Sequence, residues 1–337
     1  MQKDFHYYCI GVLAKAAGFK KADALTIAYA SQYVDDSTES EPIKVGDLIF
    51  DPVRSAHIGL KATDWSIQKR VYIPFHFIPP KPIESSKDTF VTAPNSPFAL
   101  QILKGACEEK DHLRRLCGIG IALHTLADTW SHQGFSGREH KENDVESIHH
   151  WDGKKWKYLL TENFLLDFLP QIGHAEAGHF PDQTFLTWKY KRKLTNKEVK
   201  RDNTKEFLTA AKTIYQHLCE CRVEKSKSNK PIPWEEIETP IHDLLADREE
   251  DLGKRCGKWE RRFQHLFDPL KLRYDNRAWR NEALEPENEK DTDWQDFKPS
   301  DFGRLQFRMT RGFHKSHWVQ FHRSALRQRH RVLENLL

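Results

Sequence analysis

The sequence predicts a mainly all-α fold: a multi-helix bundle with long irregular loops and an additional helical C-terminal part. Two observations carry this reading. Apolar residues recur at three-and-four spacing in several separate segments, and the irregular stretch from 38 to 97 carries one extended run, Val71-Tyr72-Ile73-Pro74-Phe75-His76-Phe77. The chain is also long enough, at 337 residues with 38% hydrophobic and 12% aromatic content, to bury one large core or two smaller ones.

Residues 4 to 34 read as two helices broken at Gly18, the second carrying Leu25, Ile27, Ala28 and Ala30. Asp35-Asp36-Ser37 follows, placing two carboxylates at a helix exit. From 38 to 97 Pro, Gly and Ser become frequent and helical periodicity is lost. A strongly apolar helix is expected from Asp111 to His132, with Leu113, Leu116, Ile119, Leu123 and Leu126 leaving little room for a solvated face. Residues 133 to 160 read as a polar loop with a turn at Asp152-Gly153, and 164 to 168 as a short helix ended by Pro170. Gly173 to Asp182 is irregular and rich in polar groups. Thr204 then caps a helix with Phe207, Ala211, Ile214 and Leu218 on one face. Lys225 to Lys230 is a basic linker, Trp234 to Phe267 further helix, Glu285 to Asp296 an acidic connection, and His314 to Leu336 the last helix. Residues 1–195 are expected to form a metal-binding helical core, and residues 196–337 a helical C-terminal extension packed on it.

Charge excludes little. The balance of 53 Lys+Arg against 49 Asp+Glu, net +4, admits an anionic partner without indicating a nucleic-acid coat protein. The start of the chain lacks the pattern of a secretory signal, and no stretch reaches the roughly 18 apolar residues of a membrane span. Six scattered cysteines do not suggest a disulfide framework, so a reducing, cytoplasmic setting is expected. The pair Cys219 and Cys221 has no second pair near it in sequence, and ordinary burial is expected for both.

The chemistry concentrates in His124, Asp128 and His132, spaced i, i+4, i+8. On a helix they project from one face as a stacked row. The row interrupts an otherwise apolar helix, where each unpaired buried polar group costs about 1–3 kcal/mol. Imidazole and carboxylate on a rigid helix suit a borderline cation such as zinc, which removes that penalty. Further candidate ligands are Asp4 and His6 at the start of the chain, Asp35 and Asp36 at the helix exit, and His57 and His76 in the irregular segment. His174, Glu176, His179 and Asp182 lie in the later one. His76 stands out because Pro74-Phe75 and Phe77-Ile78-Pro79-Pro80 flank it with apolar, stiff chain.

This order of acids and histidines over residues 1 to 185 resembles the zinc-dependent phospholipase C and single-strand-specific zinc nuclease superfamily. The Asp-Phe-His-Tyr-Tyr, Tyr-Val-Asp-Asp and Pro-Phe-His-Phe segments look like those of an uncharacterised bacterial branch of it. The resemblance implies an all-helical fold holding two or three zinc ions, with Mn2+ or another divalent metal as substitutes. It also implies that His124 and Asp128 form the central His-x-x-x-Asp, with His132 following. Asp35 or Asp36 would bridge metals, His57 or His76 would be the intermediate His, and His174 with Glu176 or Asp182 the last pair. Enzymes of that family begin with a Trp whose free amine binds zinc; here Asp4 and His6 are expected to substitute.

The function expected is therefore metal-dependent phosphodiester hydrolysis, with Asp35, Asp36 and Asp128 as catalytic carboxylates. A nucleic-acid or nucleotide substrate is favoured over a phospholipid by the basic C-terminal helix and the ten tryptophans available for stacking. Arginines of that helix, or Arg54, are expected to bind the substrate anion. The alternatives are a phospholipase C acting on phospholipid head groups, and a non-catalytic effector or binding protein whose metals are structural.

Overall fold

The computed structural model describes residues 1–39, 42–45, 47–56, 63–158, 172–222, 230–286 and 307–336. The chain opens on a π-helical turn, Asp4–Cys9, that runs into helix α1 (Ile10–Ala16). Gly18, at φ +96°, reverses it into α2 (Lys21–Asp36). The break at Gly18 and the carboxylates at the exit of α2 thus lie where the sequence puts them.

The run Val71 to Phe77 is not a strand. A short helix α3 (Trp65–Ile67) leads through a π turn, Gln68–Tyr72, into α4 (Ile73–Phe75). Pro74 occupies the first turn of α4.

Two longer helices follow at the centre. In α5 (Pro97–Cys107) the Ser96 hydroxyl accepts from the Ala99 amide, and in α6 (His112–Ser131) the Asp111 carboxylate accepts from Arg114. Helix α6 is buried from Leu116 onward apart from Gly118, as its all-round apolar pattern requires. It lies against α2 at backbone distance: a Cβ added to Gly120 would stand 2.3 Å from the Ile27 carbonyl oxygen. Later come α7 (Asn203–Cys221), capped by Asp202 rather than Thr204, then α8 (Trp234–Leu245), α9 (Leu252–Phe263) and α10 (Ala278–Ala283). The last helix, α11 (His317–Leu333), is capped by Ser316 and packs on α6.

The expectation of an all-α fold is corrected by two four-stranded sheets, which make the protein mixed α and β, 53% helix against 12% strand among the described residues. The first joins β1 (Ile43–Val45), β2 (Leu48–Phe50), β7 (Leu284–Pro286) and β8 (Phe307–Met309) in the order β2-β1-β8-β7, with β1 and β8 parallel. The second is antiparallel, in the order β4-β3-β5-β6, from β3 (Val145–Trp151), β4 (Trp156–Tyr158), β5 (Thr187–Arg192) and β6 (Glu198–Asp202). The expected polar loop after residue 133 is thus largely a hairpin, with Asp152-Gly153 at its turn. The short helix expected over 164–168, most of the basic linker and most of the acidic connection lie outside the described residues.

One large apolar cluster takes side chains from Met1 through Val332, including Phe207, Trp259 and Trp318, and so unites both sides of the expected boundary at 195. A smaller cluster under the second sheet gathers Phe77, Phe135, Ile148, Trp188 and Tyr190. The cysteine reading is corrected as well: Cys107 at the end of α5 and Cys221 at the end of α7 form a disulfide, their Cα atoms 5.4 Å apart. A bridge of this kind is characteristic of oxidising compartments, so the cysteines no longer argue for a reducing one. No helix among the described residues is long and apolar enough to cross a membrane.

Candidate metal centre

The row on α6 becomes the floor of a polar cavity. His124, Asp128 and His132 are 0%, 0% and 5% exposed, so their polar atoms find partners in the protein or in a bound ion. Four other segments converge on them: the opening π turn brings His6, the exit of α2 brings Asp35, the end of α4 brings His76, and the loop beneath the second sheet brings His174 and Asp182. Among the described residues, three groups have ligand atoms within 4.8 Å of one another: His6, His124 and Asp128; Asp35, His76 and His124; and His132, His174 and Asp182. The adjoining cavity holds about 270 Å³ and is bordered by Tyr72 and Phe77 among others.

Asp128 is the hub. Its Oδ1 lies 3.2 Å from His6 Nε2, while its Oδ2 lies 3.2 Å from both His76 Nδ1 and His124 Nε2 and 3.6 Å from His132 Nδ1. Asp182 links the third group, with Oδ1 3.1 Å from His132 Nε2 and Oδ2 3.4 Å from His174 Nε2. Asp35, a third exposed, stands 3.6 Å from His124 Nε2 and 3.9 Å from His76 Nδ1.

Three of the histidines are held from behind. His76 Nε2 is 2.9 Å from the Ser55 carbonyl, His132 Nδ1 2.9 Å from the His76 carbonyl, and His174 Nδ1 2.9 Å from the Gly178 carbonyl. A carbonyl on one ring nitrogen takes that N–H and turns the lone pair of the other nitrogen toward the cavity, the arrangement by which proteins orient metal-binding imidazoles. The facing nitrogens of His124 and His76 approach to 3.1 Å, and the His6 and His124 rings stack with centroids 3.8 Å apart. Both ring nitrogens of His6 and Nδ1 of His124 are buried without a hydrogen-bond partner. Donors crowded together and left unsatisfied fit a centre that takes cations, and the all-nitrogen-and-oxygen set suits zinc, manganese or iron.

Electrostatics agree. Burial pushes the His6 imidazole down to about 3 and those of His124 and His174 down to about 4, so all three are neutral donors. Burial works the other way on Asp128, but His132, the terminal amine, His124 and His6 hold its carboxyl well below the usual range. Burial likewise raises Asp35.

Eight of the expected site residues therefore meet: His6, Asp35, His76, His124, Asp128, His132, His174 and Asp182. Three do not. Asp4 is ion-paired with Arg255 at 2.7 Å, Asp36 accepts from Tyr274 at 2.6 Å, and Glu176 accepts from the Val145 amide and Lys193 at 2.6 and 2.9 Å. Each has a structural partner that sequence spacing does not reveal. His57 lies outside the described residues. His179 belongs to none of the three groups.

One participant escaped the sequence reading. The α-amino group of Met1 is buried, 2.6 Å from Asp128 Oδ1 and 3.1 Å from Asp182 Oδ1. Burial lowers its affinity for a proton, yet Asp128, Asp182 and Asp35 reverse this and raise its pKa to about 11. No side-chain pattern marks a backbone amine, so only the fold reveals it. The expected arginines divide. Arg54 donates to the carbonyl of Ala56 on the cavity wall, whereas Arg323, Arg327 and Arg331 line a separate cleft.

The family of unknown function DUF6765 matches residues 1–336, and the chain belongs to it. Comparison with curated proteins and with solved structures gives no match.

Proposed function

We propose that this member of DUF6765 is a hydrolase that uses two or three divalent metal ions, zinc foremost, to cleave a phosphodiester bond. The observation that carries the reading is Asp128, whose two oxygens face different sets of nitrogen donors, as a carboxylate shared between neighbouring cations would. The bridging role expected of Asp35 or Asp36 passes in this reading to Asp128, with Asp35 beside it. His6 and His124 would hold one ion with Asp128, His76 and Asp35 a second, and His132, His174 and Asp182 a third. Bound there, such ions supply Lewis acidity toward phosphate oxygens and a water that ionises near neutral pH.

The chain's own groups do the rest. Asp35, the most exposed of the three carboxylates, is placed to accept the proton of the attacking water. Phe77 stacks on His132 at 4.4 Å and stiffens that ring. Arg54, whose charge reaches the Tyr72 phenol, supplies positive potential at the cavity wall for an anionic substrate.

A nucleic-acid or nucleotide substrate is supported by the second sheet, which shares the cluster under the late ligands. There Lys189 and Lys200 lie over the Trp156 ring at 5.2 and 5.5 Å, a surface suited to phosphates and bases. A phospholipid substrate draws support from a different feature. Leu48, Ile49 and Trp65 are 50%, 76% and 48% exposed on the stretch that also carries Ala56 and Tyr72. Parallel assays with single-stranded DNA, single-stranded RNA, a nucleotide diester and phosphatidylcholine vesicles decide between them. Cleavage of at least one that stops in Asp128→Asn supports the hydrolase. Metal-loaded protein inert toward all of them points to structural ions.

A further inference from the structure

At the other end of α6 from the metal centre, α5, α6 and α11 enclose a cleft of about 200 Å³. Arg114 and Asp128 are 14 residues apart on that helix, about 21 Å at 1.5 Å per residue, and the two cavities share no lining residue. Four guanidinium groups line the cleft, Arg114 from α6 and Arg323, Arg327 and Arg331 from α11, with Glu109 as the one carboxylate among the lining residues.

Glu109 is already engaged. It pairs with Arg327 and lies 3.8 Å from Arg114, which also has Asp111 at 3.9 Å. Arg323 and Arg331 make no ion pair among the described residues, and the Arg114 Nε is buried without a hydrogen-bond partner. The three arginines of α11 stand at i, i+4 and i+8, where like charges repel. Arg331 is drawn inward nonetheless: a Cβ on Gly105 would lie 1.4 Å from its Nη1, so the absent side chain is what admits the guanidinium against α5. Arg323 and Arg327 are exposed at the mouth, yet all four guanidinium groups line one recess that carries a single carboxylate, and guanidinium forks match the oxygens of phosphate in pairs.

We infer that this cleft is a second ligand site, built for a small polyvalent phosphate anion such as pyrophosphate or a phosphomonoester. It stands apart from the metal centre and does not depend on the hydrolase reading. Its size favours a diffusible ligand, and its position between α6 and α11 would let occupancy brace the helix that bears the metal-binding row.

The test is calorimetric titration of the full chain with pyrophosphate at low salt, comparing wild type with the Arg323→Gln/Arg331→Gln double variant. The expected result is binding at about millimolar affinity or better in wild type, weakened about tenfold or more in the double variant, with bound metal unchanged. If the Gln pair prevents folding, Arg323→Lys/Arg331→Lys replaces it; charge without the paired geometry should still weaken binding severalfold. No binding by wild type, or equal affinity in the folded variants, overturns the inference; heat that persists undiminished in them belongs to the metal centre.

Discussion

Asp128 concentrates the account at the scale of single residues. It is fully buried and faces an ammonium group and four imidazoles, so removing its charge breaks the shorter of the two carboxylate contacts of the Met1 amine and leaves it Asp182 alone at 3.1 Å. Breaking a buried pair in this way costs about 3–5 kcal/mol. Asp128→Asn should therefore lower the urea midpoint of metal-free protein by a corresponding amount and abolish metal retention. Unchanged stability would mean the ammonium is not paired as described. A second residue gives a pH signature away from the site. His322 is buried, and burial pushes its imidazole down to about 3, while its Nδ1 accepts the Val53 amide at 2.9 Å. The unfolded chain binds a proton at this histidine near pH 6.5 and the folded chain does not, so stability falls as pH drops below 6.5. Between about pH 7 and pH 5 the loss from this group alone is about 2 kcal/mol. His322→Gln should flatten the fall in midpoint over that window by about the same amount; an unaltered slope would place the sensitivity elsewhere. At this scale sequence legibility divides by partner. His124, Asp128 and His132 are readable from spacing on an apolar helix. Asp4, Asp36 and Glu176 look equally suitable in sequence and are diverted by Arg255, Tyr274 and the Val145 amide, partners brought in by the fold.

Among elements, α6 carries both the core and the ligands, and its contact with α2 sets the distance between Asp35 and the row. Gly120 permits that contact. In Gly120→Ala the new Cβ meets the Ile27 carbonyl, which is backbone and has no rotamer to change. Overpacking of this kind costs about 1–3 kcal/mol, and the helices must separate. Thermal melts should show the loss in stability, and the bound-metal ratio should fall with it; a variant as stable as wild type would contradict the close packing. The longer helices α2, α6, α7 and α11 are readable because their apolar residues follow helical spacing, whereas α5 and the short α3 and α4 are not read from the sequence. The first sheet is not, because its strands are three residues long and pair across most of the chain. The second is partly hidden. Strand β3 is interrupted at Ser147, φ +51°, where its register shifts, so its alternation breaks. Strand β5 does alternate, Trp188 and Tyr190 inward between lysines, and that pattern of period two was available in the sequence.

For the molecule as a whole, the large core and the Cys107–Cys221 disulfide bind early and late parts of the chain together. The bridge closes a separation of 114 residues, which in the chain-entropy view is worth up to about 4–5 kcal/mol. Cys107→Ala/Cys221→Ala, or wild type under reductant, should unfold at clearly lower denaturant. Equal midpoints with and without reductant would show that the cysteines are not paired in solution. This pairing was out of reach of the sequence, since six scattered cysteines allow many partners and only the meeting of the ends of α5 and α7 selects one. The metal centre draws its ligands from five separate segments; eight of them are readable as candidates in the sequence, but their grouping, and the exclusion of Asp4, Asp36 and Glu176, come only from the fold. Whether the cavity holds a metal cluster is decided by elemental analysis of purified, tag-free protein, with His124→Ala and Asp128→Ala beside wild type. Wild-type protein should carry about two or three equivalents of a divalent metal, with a clear fall in both variants. Wild-type protein that carries no metal, and takes up neither zinc nor manganese when they are supplied, would contradict it.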